Sequence, residues 1–219
     1  WHHPERGLVE PADFVPLAEE TGVITQLTHW AIKRGIADLA TLLDDYPDLG
    51  LSINISARDL ISGELPALFR RQLAQHHLRA QRLTVELTET AAMEDPEKGL
   101  QALQDLADLG LQISIDDFGS GYSSLSYLKQ LPATEIKLDR SLILDIGTSD
   151  SARVIVETAI NMAHGLSYSV VAEGVEDAGT ADLLTALRCD RLQGYWLCHP
   201  LPLDRLTGWL AERRAHTDG

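Results

Sequence analysis

Asp116 and Asp117 close an apolar run, Leu111–Ile115, and are followed by Phe118, Gly119, Ser120, Gly121, Tyr122, Ser123 and Ser124. Adjacent carboxylates repel each other and are costly to hold together unless a cation sits between them. A Gly-X-Gly stretch directly after them lets a loop approach a ligand closely. Together these features suggest a metal site beneath a flexible loop. A strand end followed by a solvated acidic turn would read the same way, and the segment alone does not choose between them.

The elements around this segment bear on the choice. Short apolar runs of strand character recur at Leu51–Ile55, Leu83–Leu87, Leu111–Ile115, Glu135–Leu138 and Ser169–Ala172, with a weaker one at Arg191–Tyr195. Helical patterns lie between them. Leu65–His76 has apolar residues at helical spacing. Pro96–Leu109 opens on an Asp95-Pro96 cap and stops at Gly110, and Ser151–His164 stops at Gly165. Asp177–Leu187 and Leu203–Arg213 complete the set, with a frayed polar tail after Leu210. Alternating strands and helices predict βα units around a parallel sheet, whose strands, covered on both faces, are expected to be apolar throughout. At or near the end of each strand stands a charged or amide side chain: Asn54, Glu86, Asp116 with Asp117, Lys137, Glu173 and Gln193. That placement suits a (β/α) barrel, which assembles its active site from strand ends and the loops after them.

The segments Asn54-Ile55-Ser56, Glu86-Leu87-Thr88-Glu89, Asp116 to Ser124, Lys137 to Ser141, Ala172 to Glu176 and Gln193-Gly194-Tyr195 resemble the motif series of the EAL-domain cyclic-di-GMP phosphodiesterases. The opening, Trp1-His2-His3-Pro4 with Pro11, Phe14, Pro16 and Ala18-Glu19-Glu20, resembles that family too. The resemblance implies a (β/α)8 TIM-like barrel that hydrolyses cyclic-di-GMP to linear pGpG with two Mg2+ or Mn2+ ions. It assigns Asn54, Glu86 and Asp116 to one ion, and Asp116 with Asp117 to the second. Lys137 would orient the attacking water, Glu173 would act as a base or as a partner of metal-held water, and Gln193 would hold that network. Glu89 would pin the loop Phe118–Ser124. The all-oxygen ligand set is what hard divalent ions require.

The Glu-Ala-Leu tripeptide that names the family is not in this chain, and about six strands are found where a closed barrel has eight. Residues 1–219 are therefore expected to form a single EAL-type domain, N-terminally incomplete, with one acidic ligand upstream. A homodimer fused to upstream sensory or cyclase-like domains is also expected.

The formal net charge of −15 argues against DNA binding, which needs a basic footprint. No stretch reads as a membrane span or signal peptide, and Cys189 and Cys198 form no metal-type pair. A cytoplasmic setting is expected, on its own or as the cytoplasmic part of a membrane-anchored protein. The paired histidines His2-His3 and His76-His77 read as surface residues, and Tyr195 and Trp196 as barrel-rim packing. Two other functions fit the residues: a non-catalytic cyclic-di-GMP receptor, and another metal-dependent barrel enzyme with a lysine base.

Overall fold

A computed structural model of the chain describes residues 1–119 and 125–217. A small antiparallel pair, β1 (His2–His3) and β2 (Gly7–Leu8), opens the chain. Helices α1 (Pro11–Thr21) and α2 (Ile24–Leu42) follow. The remainder alternates: β3 (Leu51–Asn54), α3 (Ala57–Ser62), α4 (Leu65–His76), β4 (Leu83–Thr88), α5 (Glu89–Met93), α6 (Pro96–Asp108), β5 (Gln112–Phe118), α7 (Leu125–Leu128), β6 (Glu135–Leu138), α8 (Arg140–Ile143), α9 (Asp150–Gly165), β7 (Ser169–Ala172), α10 (Ala178–Ala186), β8 (Arg191–Leu192) and α11 (Leu203–Thr217). Strands β3 to β8 form one six-stranded sheet in sequence order, every pair parallel. Strand, crossover helix, parallel neighbour is the repeating unit, as the alternating pattern requires.

The strands are not apolar throughout, as the sequence had suggested. In β4 to β7 one alternate set, Val85 and Leu87, Ile113 and Ile115, Ile136 and Leu138, Val170 and Ala172, is at most 1% exposed and joins the helix-packed core. The other set carries Glu86, Ser114, Asp116, Glu135 and Lys137, all buried as well. Side chains alternate faces along a strand, so one face of the sheet is a hydrocarbon core and the other a polar interior. Burial on both faces is correct, but the second face is buried by polar groups that satisfy one another.

The helices form where local signals favour them. Asp95 caps α6 by accepting a hydrogen bond from the Lys98 N–H at 3.3 Å, and Pro96 occupies the first turn. Helix α2 carries no cap signal. Its buried stripe, Ile24, Thr28, Ile32, Ile36, Leu39 and Leu42, recurs every three or four residues and seats it against β3 and α4. Helix α11 runs on to Thr217 rather than fraying after Leu210. Among the described residues, no helix is long and apolar enough to cross a membrane.

Candidate active site

The adjacent carboxylates lie inside β5, not beyond its end. In a regular strand, neighbours point to opposite faces, so Asp116 and Asp117 could not share a site. A bulge resolves this. Ile115 pairs with Ile136 and Phe118 with Leu138, so β5 spends one residue more than β6 across the same stretch. Asp117 takes up the extra length at φ 56°, a conformation uncommon for a residue with a side chain. Its N–H donates to Asp116 Oδ1 at 2.9 Å. The result brings oxygens of Asp116, Asp117 and Glu173 within 4.8 Å of one another.

Lys137 occupies the centre of the polar face. Its Nζ lies 2.7 Å from Glu173 Oε1, 3.0 Å from Glu86 Oε2 and 3.1 Å from Asp116 Oδ2. The Lys137 side chain is 3% exposed, so its charge is neutralised by these carboxylates rather than by water. Burial by itself would lower the lysine pKa, but the hydrogen bond that Lys137 donates to Glu173 and the charges of Glu86 and Asp116 outweigh it and raise the pKa well above the usual lysine range. Lys137 is therefore a fixed cation at neutral pH and a poor proton acceptor. Glu173, immediately after β7, is pushed up mainly by burial, with the Lys137 hydrogen bond opposing and the Asp116 and Glu86 charges reinforcing. The carboxyl of Asp117 is raised by burial, then by the neighbouring charges of Asp116 and Asp139. Both shifts move these acids toward the range in which they can exchange a proton near neutrality.

The remaining sequence-predicted residues surround this hub unequally. Asn54 ends β3 in register with Glu86, which places the two side by side on the polar face, although Asn54 is exposed. It does not cap α3. Ser56 does, through a reciprocal capping box with Asp59. Glu86 is two residues short of the end of β4 and reaches the group through Lys137. Gln193 stands just beyond β8 and is exposed, and its backbone N–H donates to the Ala172 oxygen at 2.8 Å. Glu89 opens α5, and its Oε2 is buried without a hydrogen-bond partner among the described residues. Of the loop Phe118–Ser124 that it was expected to pin, residues 120–124 lie outside the described residues.

Asp177 caps α10, and Glu176 pairs with Arg140 at 2.8 Å. Tyr195 and Trp196 are about half exposed, and Tyr195 stacks on His199. His3 accepts from the Glu5 and Arg6 N–H groups through Nδ1, a local turn role.

Asp116, Asp117 and Glu173 offer oxygen ligands only, the donor type that a hard divalent cation takes. The EAL domain family matches residues 1–200. The chain belongs to the EAL domain family. Its relatives include the bifunctional diguanylate cyclase/cyclic di-GMP phosphodiesterase MucR of Pseudomonas aeruginosa, 39% identical over 96% of this chain and 31% of MucR. The cyclic di-GMP phosphodiesterase NbdA of the same organism is 40% identical over 98% of this chain and 28% of NbdA. This EAL domain thus spans about a third or less of the length of those relatives. A solved complex of the MucR phosphodiesterase with c-di-GMP superimposes with a TM-score of 0.89 at 39% identity, covering 94% of this chain and 84% of that one. The six-stranded parallel sheet and its helices are therefore the architecture of EAL-domain structures.

Proposed function

We propose that this EAL domain hydrolyses cyclic-di-GMP to linear pGpG in a metal-dependent reaction. The observation that carries the reading is the Lys137 ammonium held among Glu86, Asp116 and Glu173, with Asp117 turned into the same group by the bulge. When bound, two Mg2+ or Mn2+ ions would supply an activated water and neutralise charge on the phosphoryl oxygens. Asn54, Glu86 and Asp116 are assigned to one ion, and Asp116 with Asp117 to the other.

The protein's own groups then divide the work. Lys137, always charged, orients the nucleophilic water and stabilises negative charge as it develops. Glu173, with its raised pKa, accepts the proton that the water loses. Gln193 donates and accepts hydrogen bonds that hold the water in line. The adjacent acids Asp116 and Asp117, turned into one group, favour the two-ion hydrolase over a single-ion barrel enzyme with a lysine base. The same proposal places the domain in the cytoplasm, on its own or in a membrane-anchored protein, as a homodimer with further signalling domains in the whole protein.

The test is incubation of the whole protein that carries this domain with cyclic-di-GMP and Mg2+ or Mn2+, with products separated by chromatography. Metal-dependent appearance of pGpG is expected. Binding without turnover would replace this reading with that of a receptor. Turnover of an unrelated substrate in preference to cyclic-di-GMP would replace it with a different hydrolase.

Glu89 has a separate expected role. Its buried Oε2, without a hydrogen-bond partner among the described residues, follows directly on β4, and Glu89 is assigned to order the loop Phe118–Ser124. A Glu89→Gln variant keeps the volume and loses the charge. It should lower activity by roughly tenfold, the scale of losing a supporting hydrogen bond at a metal site, and should speed amide exchange in that loop while leaving the melting temperature near that of the parent. Unchanged kinetics would remove Glu89 from the functional set.

A further inference from the structure

We propose that Glu135 and Arg191 are positioning residues that hold the end of β8, and with it Gln193, at the site. Strand β8 is two residues long and, among the described residues, is bonded to β7. Its ladder consists of Val171 with Arg191 and Ala172 with Leu192. So short a strand holds its own position weakly. Asp190 anchors its start by accepting from the Val170 N–H at 2.8 Å. The end that carries Gln193 is bonded to the segment around Ala172 by its own N–H, and Arg191 adds a side-chain tie that reaches beyond β7.

Arg191 and Gln193 are two apart and share the polar face. The Arg191 guanidinium passes β7 and donates to Glu135 Oε2 on β6. The two partners differ in freedom: the Glu135 side chain is 7% exposed and that of Arg191 66%. Glu135 is the fixed post. Its Oε1 accepts from Ser114 Oγ at 2.9 Å, and its Oε2 accepts from Ser169 Oγ at 3.5 Å. Ser114, Glu135 and Ser169 are register partners across β5, β6 and β7. One polar layer therefore ties four strands together, two residues below Asp116, Lys137 and Gln193. A carboxylate buried so deeply strongly favours keeping a cation, and Arg191 is the cation that reaches it.

The tie bears on the site because β8 continues directly into it. The Gln193 oxygen accepts from the Val175 N–H at 3.0 Å. A Cβ on Gly194 would lie 2.2 Å from the Val175 oxygen, so only glycine lets the two backbones approach this closely. A shift of β8 thus moves Gln193 relative to Glu173, which lies between Ala172 and Val175 in sequence. The participation of Gln193 in catalysis rests on the proposed function. The positioning does not.

Native-state amide exchange of the full chain tests the positioning without any activity. Arg191→Met keeps the aliphatic stem and removes the charge. Exchange at the Gln193 and Val175 amides should rise by about tenfold through local opening, with the Ile113 and Ile136 amides unchanged. Arg191→Lys should restore most of the protection, and Glu135→Gln should reproduce the effect of Arg191→Met. Unchanged exchange at Gln193 and Val175, an equal rise at all four amides, or no rescue by lysine would each overturn the proposal. In the activity assay, Arg191→Met should lower kcat severalfold with KM within about twofold. If the exchange pattern appears but the whole protein does not cleave cyclic-di-GMP, the positioning stands and the assigned activity fails.

Discussion

An Asp116→Asn variant should lose metal-dependent turnover and bind divalent cation more weakly by at least the roughly 10–100-fold that removing even an outer partner costs. Asp116 is the shared member of the group. Its Oδ1 fixes the Asp117 backbone, its Oδ2 contacts Lys137, and it lies within the three-carboxylate set. Asparagine preserves volume and one acceptor, and Lys137 keeps Glu86 and Glu173 as partners, so the fold should survive. The effect should therefore appear in metal affinity and rate rather than in folding. Asp117→Asn should be milder in affinity, removing mainly the second ion, because Asp116 is assigned to both ions and Asp117 to one. Calorimetric titration with Mn2+ and a product assay measure both. Near-parental metal affinity and turnover in either variant would sink the two-ion assignment.

Lys137→Ala should separate binding from chemistry. The rate of hydrolysis should fall by roughly 10² or more, as expected for a group that acts on the nucleophile in the transition state. Affinity for cyclic-di-GMP should change by only a few fold. The substitution should also destabilise the metal-free protein. Glu86, Asp116 and Glu173 would be left buried together without their cation. Breaking such a pair costs about 3 kcal/mol or more, which corresponds to a fall of roughly 6–12 °C in Tm for a chain of this size. Added Mn2+ should recover much of that loss in the variant and less in the parent, because the ion then supplies the missing charge. A loss confined to ligand affinity would contradict the assigned role. An unchanged Tm without metal would show that the carboxylates do not depend on Lys137.

Much of this architecture was legible in the sequence because strand and helix periods are local. The limits of β6, β7 and α4 coincide with the apolar runs Glu135–Leu138 and Ser169–Ala172 and with the helical pattern Leu65–His76. The Asp95-Pro96 start of α6 was written in residue type alone. The family and its fold followed from the order and spacing of the motifs. Helix α2 went unread because it lacks a cap signal, and its stripe becomes meaningful only against β3 and α4. Three features belong to the tertiary structure. The bulge at Asp116–Asp117 depends on the pairing of β5 with β6, and no local rule tells that two adjacent acids will face the same way. The charge state of Lys137 depends on Glu86, 51 residues away, and on Glu173 just after a third strand. The polar layer beneath the site joins Glu135 to Arg191 across 56 residues, and to each strand pattern these residues looked like ordinary termini. Sequence spacing specifies what each strand offers. Only the parallel packing of neighbouring strands, which places residues distant in the chain within hydrogen-bond reach, decides which of those offers meet.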